Sequence, residues 1–151
     1  MLKIGDRAPN FELKDTNGKI VKLSKLKGKE IILYFYPKDL TPGCTTEACN
    51  FKDDFEIYKK KGVLIYGVSL DDESMHKKFT EKYNLPFPLL SDVDKKISKT
   101  YGVYGKKNFL GKAFMGINRT TFIINKKGFI KHIFRSVNPK DHSKEILEKL
   151  D

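Results

Sequence analysis

The chain has 151 residues, 39% of them hydrophobic and 32% charged, with only two cysteines. That length suits one domain, which buries roughly two-thirds of the surface of its unfolded chain, and the composition excludes a disordered or fibrous polymer. Thirty Lys and Arg against nineteen Asp and Glu give a net charge of +11, yet the lysines run from Lys3 to Lys149 rather than gathering into one phosphate-reading stripe, so no specific nucleic-acid partner is expected.

No apolar run approaches the roughly eighteen residues of a membrane span. The opening from Met1 to Phe11 lacks the basic and then apolar pattern of a secretory leader. A cytoplasmic protein without membrane attachment is therefore expected. In a reducing compartment two cysteines do not read as a structural staple. They also make a poor zinc site, because His76, His132 and His142 lie far off at no metal-binding spacing. Neither metal nor cofactor is expected.

In chain order, Phe11 to Lys14 and Lys19 to Leu23 alternate apolar and polar residues around Asn17-Gly18, which predicts a short hairpin. Ile31 to Tyr36 is a continuous apolar and aromatic run, expected of a buried central strand that Pro37 ends. Ala48, Phe51, Phe55 and Tyr58 fall at helical spacing and predict one amphipathic helix ending near Gly62. Val63 to Ser69 reads as a second buried strand, and Asp71-Asp72-Glu73 supplies acidic residues to the start of a helix through Tyr83. Strand, helix and strand in that order imply parallel pairing with a right-handed crossover.

Pro86 and Pro88 bracket a turn before a short extended piece at Leu89-Leu90, and Asp92 to Tyr101 predicts a further short helix. Residues 102–118 hold four glycines and no firm periodicity, and are expected to form a long loop or irregular excursion. Thr120 to Ile124 and Phe129 to Phe134 then flank Asn125-Lys126-Lys127-Gly128 as a hairpin. A last helix, capped by Asp141 or Ser143, carries Ile146, Leu147 and Leu150 toward the sheet. These are the ingredients of an α/β fold: a single thioredoxin-like domain over residues 1–151, with a central mixed sheet flanked by helices and an N-terminal hairpin. A Rossmann domain fails on its fingerprint, since no Gly-x-Gly-x-x-Gly follows a first strand.

The chemistry concentrates between Phe35 and Cys49, where a central strand feeds a helix at the carboxyl edge of the sheet. With Thr41 at the N-cap, Pro42 takes the first helical position and Cys44 falls in the first turn. The free amides and positive end of a helix favour thiolate over thiol there. Favouring the thiolate is not enough. Lowering a cysteine from about 8.5 to about 6 raises its thiolate fraction about 30-fold but costs about 13-fold in nucleophilicity, a net gain of about two. An enzyme that attacks through a thiolate must also stabilise the charge that builds on the group its attack displaces. The candidate donors are the Thr41 hydroxyl, the amides near Gly43 and Cys44, and the rigid fork of Arg119, which directly precedes a predicted strand. Glu47 reads either as a first-turn acid or as a support for Arg119.

Pro37, Thr41 and Cys44 reproduce the Pro-x-x-x-Thr-x-x-Cys signature of peroxiredoxins, and Arg119 falls where that family places its active-site arginine. The longer run Phe35-Tyr36-Pro37-Lys38-Asp39, Thr41-Pro42-Gly43-Cys44-Thr45 and Glu47-Ala48-Cys49 resembles the bacterioferritin comigratory protein, or peroxiredoxin Q, branch. Gly5-Asp6, Ala8 to Phe11 and Leu13 resemble its opening. Arg119, Phe122 to Ile124 and Gly128 resemble its later hairpin. The resemblance implies that Cys44 is the peroxidatic cysteine, passing through a sulfenic acid, and that Cys49 resolves it as a disulfide. It also implies that Thr41 and Arg119 orient thiolate and peroxide while Pro37 shields the thiolate. The implied substrates are hydrogen peroxide and organic hydroperoxides, the implied reductant is thioredoxin or a similar dithiol protein, and the implied assembly is a monomer. Two other functions compete: a thiol-disulfide oxidoreductase, whose cysteines are usually spaced Cys-x-x-Cys, whereas four residues intervene here, and a basic binding protein whose cysteines sense redox state.

Overall fold

A computed structural model describes residues 1–150; Asp151, the last position of the expected domain, lies outside them. Seven strands form one mixed sheet: β1 (Glu12–Lys14), β2 (Ile20–Lys22), β3 (Glu30–Phe35), β4 (Val63–Ser69), β5 (Leu89–Ser91), β8 (Thr120–Ile124) and β9 (Ile130–Phe134), in the order β2-β1-β5-β4-β3-β8-β9. Strands β3, β4 and β5 run parallel, while β8 pairs antiparallel with β3.

Side chains alternate across β3, which therefore supplies both layers of the core. Ile31, Leu33 and Phe35 face a cluster closed by Phe122, Tyr101 and Ile117. Ile32, Tyr34 and Tyr36 face the other, where α1 (Pro42–Asp53), α2 (Phe55–Lys60), α3 (Glu73–Tyr83) and α5 (His142–Leu147) contribute Phe51, Tyr58, Phe79 and Ile146. The crossovers β3-α1-α2-β4 and β4-α3-β5 step the same way along the sheet, so right-handed connections put their helices on one face. The short α4 (Lys96–Thr100) packs Ile97 into the opposite cluster. Thus helices lie on both faces of a mixed sheet, with β1 and β2 forming the N-terminal hairpin in the register Leu13↔Val21.

Three expectations are corrected. The helix expected to run unbroken to about Gly62 is two: Asp54 (φ −96, ψ 6) ends α1 before α2 begins, and its carboxylate accepts a 2.7 Å bond from the Ser143 hydroxyl. Helical periodicity survives the break because Phe51 and Tyr58 both still face the core.

Residues 102–118 are no loop. They hold β6 (Tyr104–Phe109) and β7 (Lys112–Ile117), an antiparallel pair in the register Tyr104↔Ile117 through Phe109↔Lys112. Its far end stands outside the core, so the strands need not alternate in polarity, and its Leu110-Gly111 turn has both residues at positive φ (52 and 79) without the usual Asn-Gly. At the last helix neither expected cap operates. Asp141 sits at the N-cap without a side-chain bond, and the Ser143 hydroxyl lies between Asp54 and the Tyr58 hydroxyl.

Candidate active site

Beyond Phe35 the chain leaves the sheet and must turn into α1. Asp39 governs that turn. Its buried carboxylate accepts from the Tyr36 hydroxyl and faces His76 Nδ1, each at 2.5 Å, while its amide donates to Asp71 at 2.8 Å. His76 Nε2 lies 3.0 Å from the Leu90 carbonyl, and the Ser69 hydroxyl donates to Asp71. The loop is thereby tied to β4, α3 and β5 at once, and Leu40 is held at φ 65 immediately before the helix. Sequence spacing hid this cluster: His76 follows Asp39 by 37 positions, and only the fold joins them.

Thr41 occupies the N-cap with extended backbone, Pro42 is the first helical residue, and the Thr45 amide donates to the Thr41 carbonyl at 2.9 Å. Cys44 consequently sits in the first turn, buried to 1%, beside amides that an α-helix leaves without internal partners. The Thr41 hydroxyl does not cap the helix. It donates to the Lys38 carbonyl at 2.8 Å, which leaves an oxygen lone pair free but spends its proton. Pro37 is half-buried directly after the central strand.

Arg119 closes the site from the other side. The register Phe35↔Thr120 brings the entry of β8 beside the exit of β3. From there Arg119 Nη2 donates to Cys44 Sγ at 3.4 Å and Nη1 donates to Glu47 Oε1 at 2.6 Å. A planar fork can serve two acceptors at once. Burial works against the guanidinium charge, but the negative charges of Glu47 and Cys44 outweigh it and raise Arg119 further. Glu47 is therefore the support for Arg119 that the sequence left undecided. Burial lifts its carboxyl to about 7 even against the pull of Arg119, and its second oxygen has no hydrogen-bond partner among the described residues.

Gly43 makes the approach possible: a Cβ there would lie 3.2 Å from Arg119 Nη2 and 3.7 Å from Pro139 Cγ. Tyr34 lies under the site across Gly67, its hydroxyl also without a partner. Burial first, then the charges of Glu47 and Cys44, hold its phenol well above the ordinary range. Tyr36 and Phe79 are fully buried, with ring centroids 6.4 Å apart.

Cys49 is half-buried on the same unbroken helix, one turn and a half beyond Cys44, and both thiols are free. Burial raises the Cys49 thiol, with Lys52 opposing.

A buried thiol at a helix start thus lies 3.4 Å from an arginine that a buried glutamate braces, and comparison with known proteins identifies the family. The AhpC/TSA family matches residues 4–133. Peroxiredoxin Bcp of Bacillus subtilis strain 168 is 50% identical over 149 residues, covering 99% of this chain and 95% of its own. The chain belongs to the peroxiredoxins. Its similarity is to their Bcp/PrxQ branch. A cysteine-to-serine mutant of Xylella fastidiosa PrxQ superposes with a TM-score of 0.94 at 32% identity, covering 99% of this chain and 96% of that one. The bacterioferritin comigratory protein of Xanthomonas campestris, whose structures concern alkyl peroxide reduction, gives 0.88 at 35% identity over 93% of this chain and 89% of that one. This peroxiredoxin is thus a thiol peroxidase of thioredoxin-like fold. Among the described residues no helix is long and apolar enough to cross a membrane.

Proposed function

We propose that this peroxiredoxin reduces hydrogen peroxide and organic hydroperoxides through Cys44 sulfenic acid and an intramolecular Cys44–Cys49 disulfide, which thioredoxin or a similar dithiol protein reduces. The observation that carries the reading is the 3.4 Å contact between Arg119 Nη2 and Cys44 Sγ at the start of α1. The Cys44 thiolate attacks the terminal peroxide oxygen, the O–O bond breaks, and the departing oxygen takes a proton as water or alcohol. The fork of Arg119 and the free amides of the first turn stabilise charge on that oxygen. Thr41 offers an acceptor to the incoming hydroperoxide proton, and Pro37 shields the thiolate from bulk water.

Cys49, as thiolate, then attacks the sulfenic sulfur; the S–S bond forms and water leaves. An incoming dithiol returns two electrons and two protons. Because burial holds the Cys49 thiol up, its ionisation is eased when α1 opens. The same reading takes the chain as one cytoplasmic, monomeric domain.

The test is peroxide consumption by the parent, Cys44→Ser and Cys49→Ser proteins, with thioredoxin as reductant. Cys44→Ser should lose turnover altogether. Cys49→Ser should reduce one equivalent of peroxide, accumulate sulfenic acid and stall. More than a few per cent of turnover in Cys44→Ser would place the nucleophile elsewhere, and a covalent dimer as the main oxidised product of the parent would overturn the intramolecular disulfide.

A further inference from the structure

A lysine on a two-stranded hairpin outside the core ordinarily extends into water. Lys107 does not. It pairs with Phe114 across β6 and β7, yet its ammonium donates to the Ile117 carbonyl at 2.8 Å, back toward the base of the hairpin. Gly116 makes room for that path. Its backbone is not in the left-handed region, so what glycine offers there is space: a Cβ would lie 3.3 Å from Lys107 Cδ and press on the lysine's path. Ile117 is buried and stands two residues before Arg119, so the carbonyl that holds Lys107 belongs to the short segment that delivers Arg119 to Cys44.

From this placement we infer that Lys107 is a second cation of the peroxide site, a positioning residue whose charge favours the Cys44 thiolate and fixes the Ile117 carbonyl beside Arg119. The inference rests on the reading of Cys44 as the attacking thiolate. The electrostatics of the lysine agree: burial and then the Arg119 charge press its ammonium below the ordinary range, while Cys44 pulls it upward. A pairwise charge interaction is mutual, so a lysine that senses Cys44 is sensed by it. The charged or titratable groups around that sulfur then come from four elements. They are Glu47 on α1, Tyr34 on β3, Arg119 at the entry of β8 and Lys107 on β6, while His142 of α5 feels the charge of Arg119. Arg119 divides its fork between thiol and carboxylate, whereas Lys107 has no carboxylate partner among the described residues.

The experiment uses full-length Cys49→Ser protein, so that one cysteine remains, combined with Lys107, Lys107→Met or Lys107→Arg. Two curves are measured against pH: ultraviolet thiolate absorbance and the rate of oxidation by hydrogen peroxide. In Lys107→Met both midpoints should move up by about half to one pH unit, which below the midpoint is a loss of roughly three- to ten-fold in rate. Added salt should shrink the gap between Lys107→Met and the parent. Lys107→Arg, which keeps the charge, should restore most of the shift. Unchanged midpoints in a folded Lys107→Met protein would overturn the inference, as would a loss equal at every pH that arginine fails to rescue, which marks a clamp without a charge effect. The absorbance curve needs no peroxide turnover, so it tests Lys107 even where the parent proves inactive and the functional reading itself fails.

Discussion

Cys44 and Arg119 are 75 positions apart in the chain and 3.4 Å apart at Sγ and Nη2. The sheet makes them neighbours. Cys44 hangs from the exit of β3 and Arg119 from the entry of the antiparallel β8, so the pairing Phe35↔Thr120 sets the distance between thiol and guanidinium. Because Glu47 stands one turn after Cys44 and takes the other arm of the fork, helix and strand are crosslinked by one guanidinium.

Replacing Arg119 by lysine keeps the charge and removes the fork. Lysine can meet Glu47 or Cys44 but cannot present two fixed, coplanar donors to both. Losing one aimed donor to the transition state should lower the rate of Cys44 oxidation on the order of 10²-fold, read by rapid-mixing kinetics with hydrogen peroxide. A variant reacting at the parent rate would return Arg119 to a merely structural role.

Gly43→Ala should separate stability from activity. Alanine inside a helix is favoured over glycine by about 0.8–1.0 kcal/mol, but its methyl group would sit 3.2 Å from Arg119 Nη2. The guanidinium must then yield by a few tenths of an ångström. Thermal unfolding should occur at the parent temperature or slightly above it, while peroxide reactivity falls several-fold. A drop in both would show that the guanidinium, braced by Glu47, cannot yield to the methyl group.

What the sequence made legible follows from how local each signal is. The parallel strands were readable because Ile31 to Tyr36 and Val63 to Ser69 are uninterrupted apolar runs, and α3 because Asp72 caps it by accepting from the Met75 amide at 2.9 Å. The hairpin of β6 and β7 was not, since its outer half buries little and leaves no periodic trace. At the site, Cys44 and Arg119 were recognised by motif, but the geometry around them was not. The Asp39–His76 contact joins a loop to α3, the Lys107 ammonium reaches a carbonyl on the opposite strand, and the Thr41 proton goes to Lys38. Such contacts depend on tertiary placement and side-chain direction, which spacing along one chain does not encode.

Glu47 should make stability depend on pH. Its carboxyl is raised from about 4.5 to about 7 by burial. The folded state therefore holds the proton more tightly than the unfolded chain. The sign follows: stability from this group is fully present below about 4.5 and is lost as pH rises through about 7. Glu47→Gln has nothing to titrate there, so the parent should lose stability relative to the variant across that window, by up to about 3 kcal/mol. Denaturant unfolding of both proteins at pH 4.5, 6 and 8 measures the difference. A constant difference would mean that Arg119 keeps Glu47 ionised throughout. In the same variant the amide holds Arg119 less firmly, so oxidation of Cys44 should slow even where stability improves.

The first turns of α1 should open in every catalytic cycle while its second half stays closed. In a regular helix, residues five apart are roughly 8.6 Å apart at Cα, and disulfides are rarely formed beyond about 7 Å. Cys44 and Cys49 both lie inside the unbroken span Pro42–Asp53, so the bond between them requires that span to unwind. The structure divides it unequally. The Asn50 side-chain amide donates to the carbonyls of Pro139 and Lys140, Phe51 is fully buried, and Asp54 is tied to Ser143. Before Asn50, the helix is held by burial of Cys44 and Ala48 and by the fork between Glu47 and Arg119, which oxidation of Cys44 disturbs. Gly43 lowers the cost of a changed backbone path at the hinge. Hydrogen exchange followed by mass spectrometry on the reduced and disulfide forms should therefore show protection lost over residues 44–49 and kept from Phe51 onward. Asn50→Ala should let the loss spread past Phe51 in the disulfide form without altering the reduced one as much. Equal protection of residues 44–49 in both forms would rule out the unwinding, and spreading already complete in the parent would show that Asn50 and its two carbonyls do not bound it.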